Sequence, residues 1–197
     1  MIISLSGSQG QGKTTVLSTL SEHSFKVIER KTSRSILTEW NLTLNEVNKY
    51  PPLTKNFQEE IIERHFQSME PFIGTDEIVF MERSFADIFA YALYALGSYN
   101  EYDSWMNRYY ERCMEYQQFY DQIFYLTGRK ITPEEDGVRS TNKHFATSVD
   151  REIHSLLIQM DEGYEKLCVI DSPNHEHRIN IILGKLVPLC QTQNLIN

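Results

Sequence analysis

Cysteine is scarce in this chain and carries no pattern. Cys113, Cys168 and Cys190 are odd in number, widely scattered and without CxxC spacing. That excludes a disulfide framework and a thiolate zinc site, and it fits reduced thiols in a cytoplasmic protein. Long apolar runs are also missing. None approaches the ~20 residues needed to cross a bilayer. The opening segment Met1 to Ser6 is apolar but short, without the basic flank and cleavage site of a signal peptide. The expectation is a soluble protein with no membrane partner. Positive charge is the minority: 19 Lys and Arg against 27 Asp and Glu leave a net charge of -8. Broad, sequence-blind contact with nucleic acid or an anionic membrane is disfavoured, although a local basic cleft is compatible with that balance. His65, His144, His154, His175 and His177 show no metal-ligand spacing, and there is neither an internal repeat nor a low-complexity tail.

What is present fits one domain over residues 1–197, large enough to bury a core without disulfides or metals. Five short runs have strand character: Ile2 to Ser6, Phe25 to Ile28, Ile78 to Met81, Gln122 to Leu126 and Leu167 to Ile170. Each is apolar on consecutive positions, the pattern of strands covered on both faces of a parallel sheet. Helical stretches separate them, which predicts an α/β fold built of βαβ units. Leu53 to Met69 reads as one amphipathic helix after Pro51-Pro52. Residues 84–121 read as a helical, aromatic insertion that Gly97-Ser98 divides in two. A polar segment over about 128–147, with Pro133 and Gly137, reads as a lid, and Val149 to Met160 is helical again.

The first apolar run ends in Gly7-Ser8-Gln9-Gly10-Gln11-Gly12-Lys13-Thr14, a complete G-x-x-x-x-G-K-[ST] that follows a strand and opens a helix. Consecutive backbone N–H groups of such a loop converge on phosphate oxygens, and the following helix points its positive end at the same anion. Lys13 is expected to reach the β- and γ-phosphates of ATP, Thr14 to hold Mg²⁺, and Thr15 to assist at the α-phosphate.

Three further groups are placed near that loop by strand order, because ligands in open α/β sheets sit beyond the carboxyl ends of the strands. Glu82 and Arg83 end the third run; the carboxylate is suited to a Mg²⁺ site and the arginine to a phosphate or the acceptor. A helix cap formed by Ser84 or Asp87 is the plainer alternative for this turn. Glu29 ends the second run, near Arg30 and Arg34, and can accept the proton of an attacking hydroxyl; Glu82 is the other candidate base. The lid carries Arg129 and Arg139, with Arg151 on the next helix, positioned to close over the triphosphate and exclude water.

The P-loop, the Glu82-Arg83-Ser84 turn with Asp87 and Tyr91 behind it, and the Asp136-Gly137-x-Arg139-Ser140 lid together resemble small P-loop kinases. These are the thymidylate-kinase-like and ribosylnicotinamide-kinase-like (NadR-type) proteins with AAA-type nucleotide binding, many of them encoded by tailed bacteriophages. The resemblance covers most of the first 160 residues, and only the P-loop is a specific motif. It implies a P-loop NTPase fold, a five-stranded parallel sheet in the order 2-3-1-4-5 flanked by helices, with a helical insertion and an arginine-containing lid. It also implies a host cytoplasm as location if the chain is phage-encoded. Glu82-Arg83-Ser84 is similar to the Glu-Arg-Ser of deoxynucleoside kinases, whose strand-2 carboxylate is the base, which supports Glu29 by position. Cellular thymidylate kinases carry an Asp-Arg-Tyr-like element there instead, so thymidylate is a poor expectation as acceptor. A phage relative phosphorylates 5-hydroxymethyluracil within DNA, and that acceptor is the one the resemblance favours. A deoxynucleoside or nucleoside monophosphate is the alternative, and a non-kinase P-loop ATPase the competing class.

Nine of the eleven tyrosines lie between Tyr91 and Tyr125, and Trp105, Phe85, Phe89, Phe119 and Phe124 join them. Helix packing is the favoured reading and a platform for stacking bases the sharper one. Tyr91 is the expected exception, within reach of the acceptor, and Pro173-Asn174-His175 is a candidate contact for the adenine.

Overall fold

The computed structural model describes residues 1–28, 33–128, 143–161 and 165–194. Five strands form one all-parallel sheet: β1 (Ile2–Ser6), β2 (Lys26–Val27), β3 (Val79–Glu82), β4 (Gln122–Thr127) and β5 (Leu167–Asp171). Their order is β2-β3-β1-β4-β5, as the resemblance implied. Eight helices accompany them among the described residues: α1 (Lys13–Glu22), α2 (Ser33–Trp40), α3 (Leu44–Asn48), α4 (Pro51–Met69), α5 (Phe85–Leu96), α6 (Asp103–Gln117), α7 (Lys143–Met160) and α8 (His175–Asn194).

Alternate residues of the central strands feed two cores on opposite faces of the sheet, as the two-residue pleat requires. Ile2, Val79, Met81, Ile123 and Tyr125 pack with α4, α5, α6 and α7. Ile3, Leu5, Phe80, Phe124 and Leu126 pack with Val16, Leu17 and Leu20 of α1 and Ile179, Ile182 and Leu186 of α8. A small third cluster joins Ile36, Leu37, Val47 and Phe57.

Several boundaries differ from the sequence reading for local reasons. Helix α4 starts at Pro51, because proline is acceptable in the first turn, where its missing N–H has no partner to lose. The tail of the aromatic insertion does break near Gly97, with a 3-10 turn over Asn100–Tyr102 before α6. Helix α7 begins six residues ahead of Val149, at Lys143.

The insertion uses its rings for packing. Phe66 stacks on Tyr116 with centroids 4.1 Å apart, and Trp105 and Phe89 close on Tyr109. Tyr109, Tyr120 and Tyr125 are buried, with Tyr94 and Tyr99 the more exposed tyrosines of the segment. No described helix is long and apolar enough to cross a membrane.

Candidate active site

Strand register brings the chemistry to one edge. Leu5 pairs with Glu82, Ser6 with Tyr125 and Thr127 with Asp171, so the carboxyl ends of β3, β1, β4 and β5 are level. The loop from Gly7 to Gly12 rises from the middle of that row. Gly7, Gly10 and Gly12 all have positive φ, of 133°, 83° and 82°. At Gly7 the demand is steric as well, since a Cβ there meets the Leu126 carbonyl oxygen at 2.6 Å. Gly12 is the N-cap of α1 and supplies no side chain to its first-turn N–H groups. Those donors and the helix dipole face the loop, the arrangement of an anion site.

Charged side chains from four helices pin this loop. The Lys13 ammonium, buried, donates to the Gly7 and Ser8 carbonyls at 2.7 and 2.9 Å. Asp87, fully buried on α5, accepts from Ser6 Oγ at 2.5 Å and from the Gly7 N–H at 3.0 Å. The same carboxylate accepts from the Ser84 N–H at 3.0 Å and the Ser84 hydroxyl at 2.8 Å. Asp150 on α7 accepts from the Ser8 N–H at 3.2 Å. Arg178 on α8 donates to the Gln11 carbonyl. Gln11 itself is buried, whereas Gln9 is half-buried and Thr14 and Thr15 are exposed on the outer side.

Thr14 Oγ1 donates to Glu82 Oε2 at 3.3 Å, so the hydroxyl and carboxylate expected at a metal lie against each other. Arg83 follows with φ of 74°, a left-handed conformation uncommon for an arginine. Its guanidinium lies over the Tyr91 ring, 4.5 Å from the centroid. Burial works against the Arg83 charge, but Tyr91, Asp87 and Glu82 outweigh it and hold the group above its usual value. Arg83 Nε and the Tyr91 hydroxyl are buried with no hydrogen-bond partner among the described residues.

Both residues line a cavity of about 590 Å³, together with Gln9, Thr14, Arg34, Phe57, Gln58, Glu82, Tyr94 and Phe145. The site is therefore two compartments, a phosphate loop and a half-apolar cavity, joined at Thr14 and Glu82. Tyr91 stands in the cavity wall.

Other expected residues behave differently. Ser84 and Asp87 do form the helix cap, a reciprocal capping box on α5, and Asp87 adds the tie to the loop. Asn174 accepts from the His177 N–H at 2.9 Å within the first turn of α8, and His175 meets the Thr19 hydroxyl at 2.9 Å. Arg151 is exposed on α7. Glu29, Arg30, Arg129, Asp136, Gly137, Arg139 and Ser140 lie outside the described residues. Sequence reasoning missed Asp150, Arg178 and Gln58. Arg178 did leave a signal, for it stands at i-4 and i-8 from Ile182 and Leu186 on the buried stripe of α8.

A family model described as an AAA domain matches residues 2–178. No curated protein matches the sequence. Among solved structures, deoxyadenosine kinase from M. mycoides with bound dATP is similar with a TM-score of 0.65 at 14% identity, over 94% of this chain and 99% of that one. The same kinase with bound products gives 0.63 at 14% identity, over 94% and 98%. NadR in complex with NR gives 0.64 at 16% identity, over 92% of this chain and 50% of that one, so the chain spans half of NadR's length. The fold is that of these P-loop proteins.

Proposed function

The chain belongs to the AAA domain family, and from that premise we propose that it is an ATP- and Mg²⁺-dependent kinase acting on a hydroxyl of a nucleoside-type acceptor. The observation that carries this reading is the shared wall. Thr14 and Glu82 stand between the phosphate loop and a cavity bordered by Arg83 and Tyr91. A donor phosphate and an acceptor hydroxyl bound on either side of that wall meet in one place, which is what phosphoryl transfer requires. A pure ATPase or switch has no need of the second compartment.

In this reading the N–H groups of the loop that Asp87 and Asp150 do not take, from Gln9 to Gly12, hold the triphosphate together with the Lys13 ammonium. Gln9, between loop and cavity, faces both. The oxygen donors Thr14 and Glu82 suit a hard cation, and Mg²⁺ bound by them supplies charge neutralisation to the transferring group. Arg83 and Tyr91, both in the cavity lining, orient the acceptor. Glu29, or Glu82 itself, takes the hydroxyl proton, and Arg129 and Arg139 of the lid close on the phosphates.

The cavity supports a free nucleoside as acceptor over a base within DNA. Its walls include α2, α3, α4, α5 and α7, and its volume is of the order of one small ligand. The deoxyadenosine kinase fold likeness is compatible with that choice. The test is transfer of labelled γ-phosphate to a panel of free deoxynucleosides, nucleoside monophosphates, and DNA with or without 5-hydroxymethyluracil. Label in a free nucleoside is expected. Label confined to hydroxymethyluracil DNA restores the acceptor favoured by the phage resemblance. Robust phosphate release with label in no acceptor sinks the kinase reading.

A further inference from the structure

We infer that Arg178, far from the motif in sequence, is a positioning residue of the phosphate loop that sets the direction of the Gly12 N–H. The inference rests on the reading of Gly7 to Thr14 as a triphosphate site. Arg178 has no exposed surface and lies on α8, which packs on the opposite face of the sheet from α4, α5 and α7. Its guanidinium gathers three carbonyls from three segments. Nε donates to Ser172 at 2.6 Å, one terminal nitrogen to Thr127 at 2.5 Å, and the other to Gln11. Thr127 ends β4, Ser172 follows β5 and Gln11 is in the phosphate loop, so one side chain ties the loop to the rim of the sheet.

The consequence for the loop follows from peptide geometry. Cis peptide bonds are absent among the described residues, so the Gln11 carbonyl and the Gly12 N–H point in opposite directions across one rigid plane. Gly12 has φ of 82° and no side chain, so on its own it is free to rotate that plane. With the carbonyl held outward by a charged, forked donor, the N–H is turned inward, ahead of the α1 N-terminus where phosphate oxygens bind. Lysine cannot reproduce this, being a point donor that reaches one carbonyl where arginine reaches three. Burying a guanidinium is costly unless each donor is satisfied, which selects the geometry found.

The experiment measures the Kd of a fluorescent ATP analogue, and separately the affinity for the acceptor nucleoside, in wild type, Arg178→Lys and Arg178→Ala. Thermal midpoints are followed in parallel. The expected result is a loss of nucleotide affinity of about tenfold or more in both variants, with acceptor affinity unchanged. Added methylguanidine is expected to restore nucleotide affinity to Arg178→Ala, and methylamine at the same concentration to leave it low. Should Arg178→Ala fail to fold, Arg178→Lys carries the test: a folded lysine variant with wild-type nucleotide affinity overturns the inference. So does an equal loss of nucleotide and acceptor affinity, which marks general loosening. Failure of the wild-type chain to bind the analogue overturns the site reading itself, a result distinct from the other two.

Discussion

Asp87 illustrates how one side chain can serve a site without touching a ligand. Its carboxylate accepts from Ser6, Gly7 and both donors of Ser84, joining the end of β1, the first loop glycine and the turn that carries Arg83. An amide in its place keeps one acceptor oxygen and turns an NH₂ toward a donor. Asp87→Asn is expected to cost about 3 kcal/mol, most of it from the unmet buried donor. Chemical denaturation reads this directly, and a loss under about 0.5 kcal/mol would show that the carboxylate is not the tie described. Lys13 differs, because its ammonium stands in the loop itself, on the Gly7 and Ser8 carbonyls. Lys13→Ala is expected to lower transfer by at least about a hundredfold while leaving acceptor binding intact. Retention of wild-type turnover would remove Lys13 from the catalytic set.

Among the elements, the loop and the turn after β3 depend on backbone conformations that side chains rarely adopt. Gly7 has φ of 133° and its missing Cβ leaves room for the Leu126 carbonyl. Gly7→Ala is expected to destabilise the fold by about 2 to 4 kcal/mol and to abolish nucleotide binding even in the fraction that folds. Melting curves with and without ATP separate the two effects; a ligand-induced rise in midpoint equal to wild type would contradict it. The elements also explain what was legible in advance. β1 and β4 are continuous apolar runs between polar turns, so their consecutive Ile, Leu and Phe side chains announced strands covered on both faces. β5 has the same composition but, as an edge strand, buries only Ile170 and leaves Val169 exposed. The P-loop motif fixed the strand before it and the helix after it. β2 is only Lys26–Val27, too short for composition to bound, and α7 opens with the polar Lys143-His144, which masked its true start. Arg178 and Asp150 were illegible as site residues because their partners, Gln11 and Ser8, are 167 and 142 positions away. Local spacing carries no information about such pairs; only the register of the sheet creates them.

At the scale of the whole molecule, the larger core holds titratable groups in their neutral form. Cys113 is fully buried on α6, and desolvation pushes its thiol far above the ordinary range, with Arg112 pulling weakly the other way. Tyr109, one turn earlier, donates to the Gln58 carbonyl at 2.9 Å and is raised by the same burial. Tyr125, on β4, donates to the Asp150 carbonyl at 3.0 Å; burial raises it first and the Asp150 charge adds to that. In the unfolded chain these thiol and phenol groups ionise near 8.5 and 10. The native state thus binds more protons than the unfolded one once pH passes about 8.5, and stability must fall as pH rises further. Cys113 contributes first and the tyrosines follow above about 10. Between pH 8 and 10.5 the loss from Cys113 alone is expected to reach about 2 to 3 kcal/mol. Urea unfolding across that interval measures it, with Cys113→Ala as the comparison. The variant starts less stable at pH 8 because a buried side chain has been shortened, yet its stability should fall less steeply than that of wild type, the slope that remains coming from Cys168, which burial also raises, and then from the tyrosines. Parallel slopes for wild type and variant between pH 8.5 and 10 would show that the buried thiol does not set the alkaline limit of this fold.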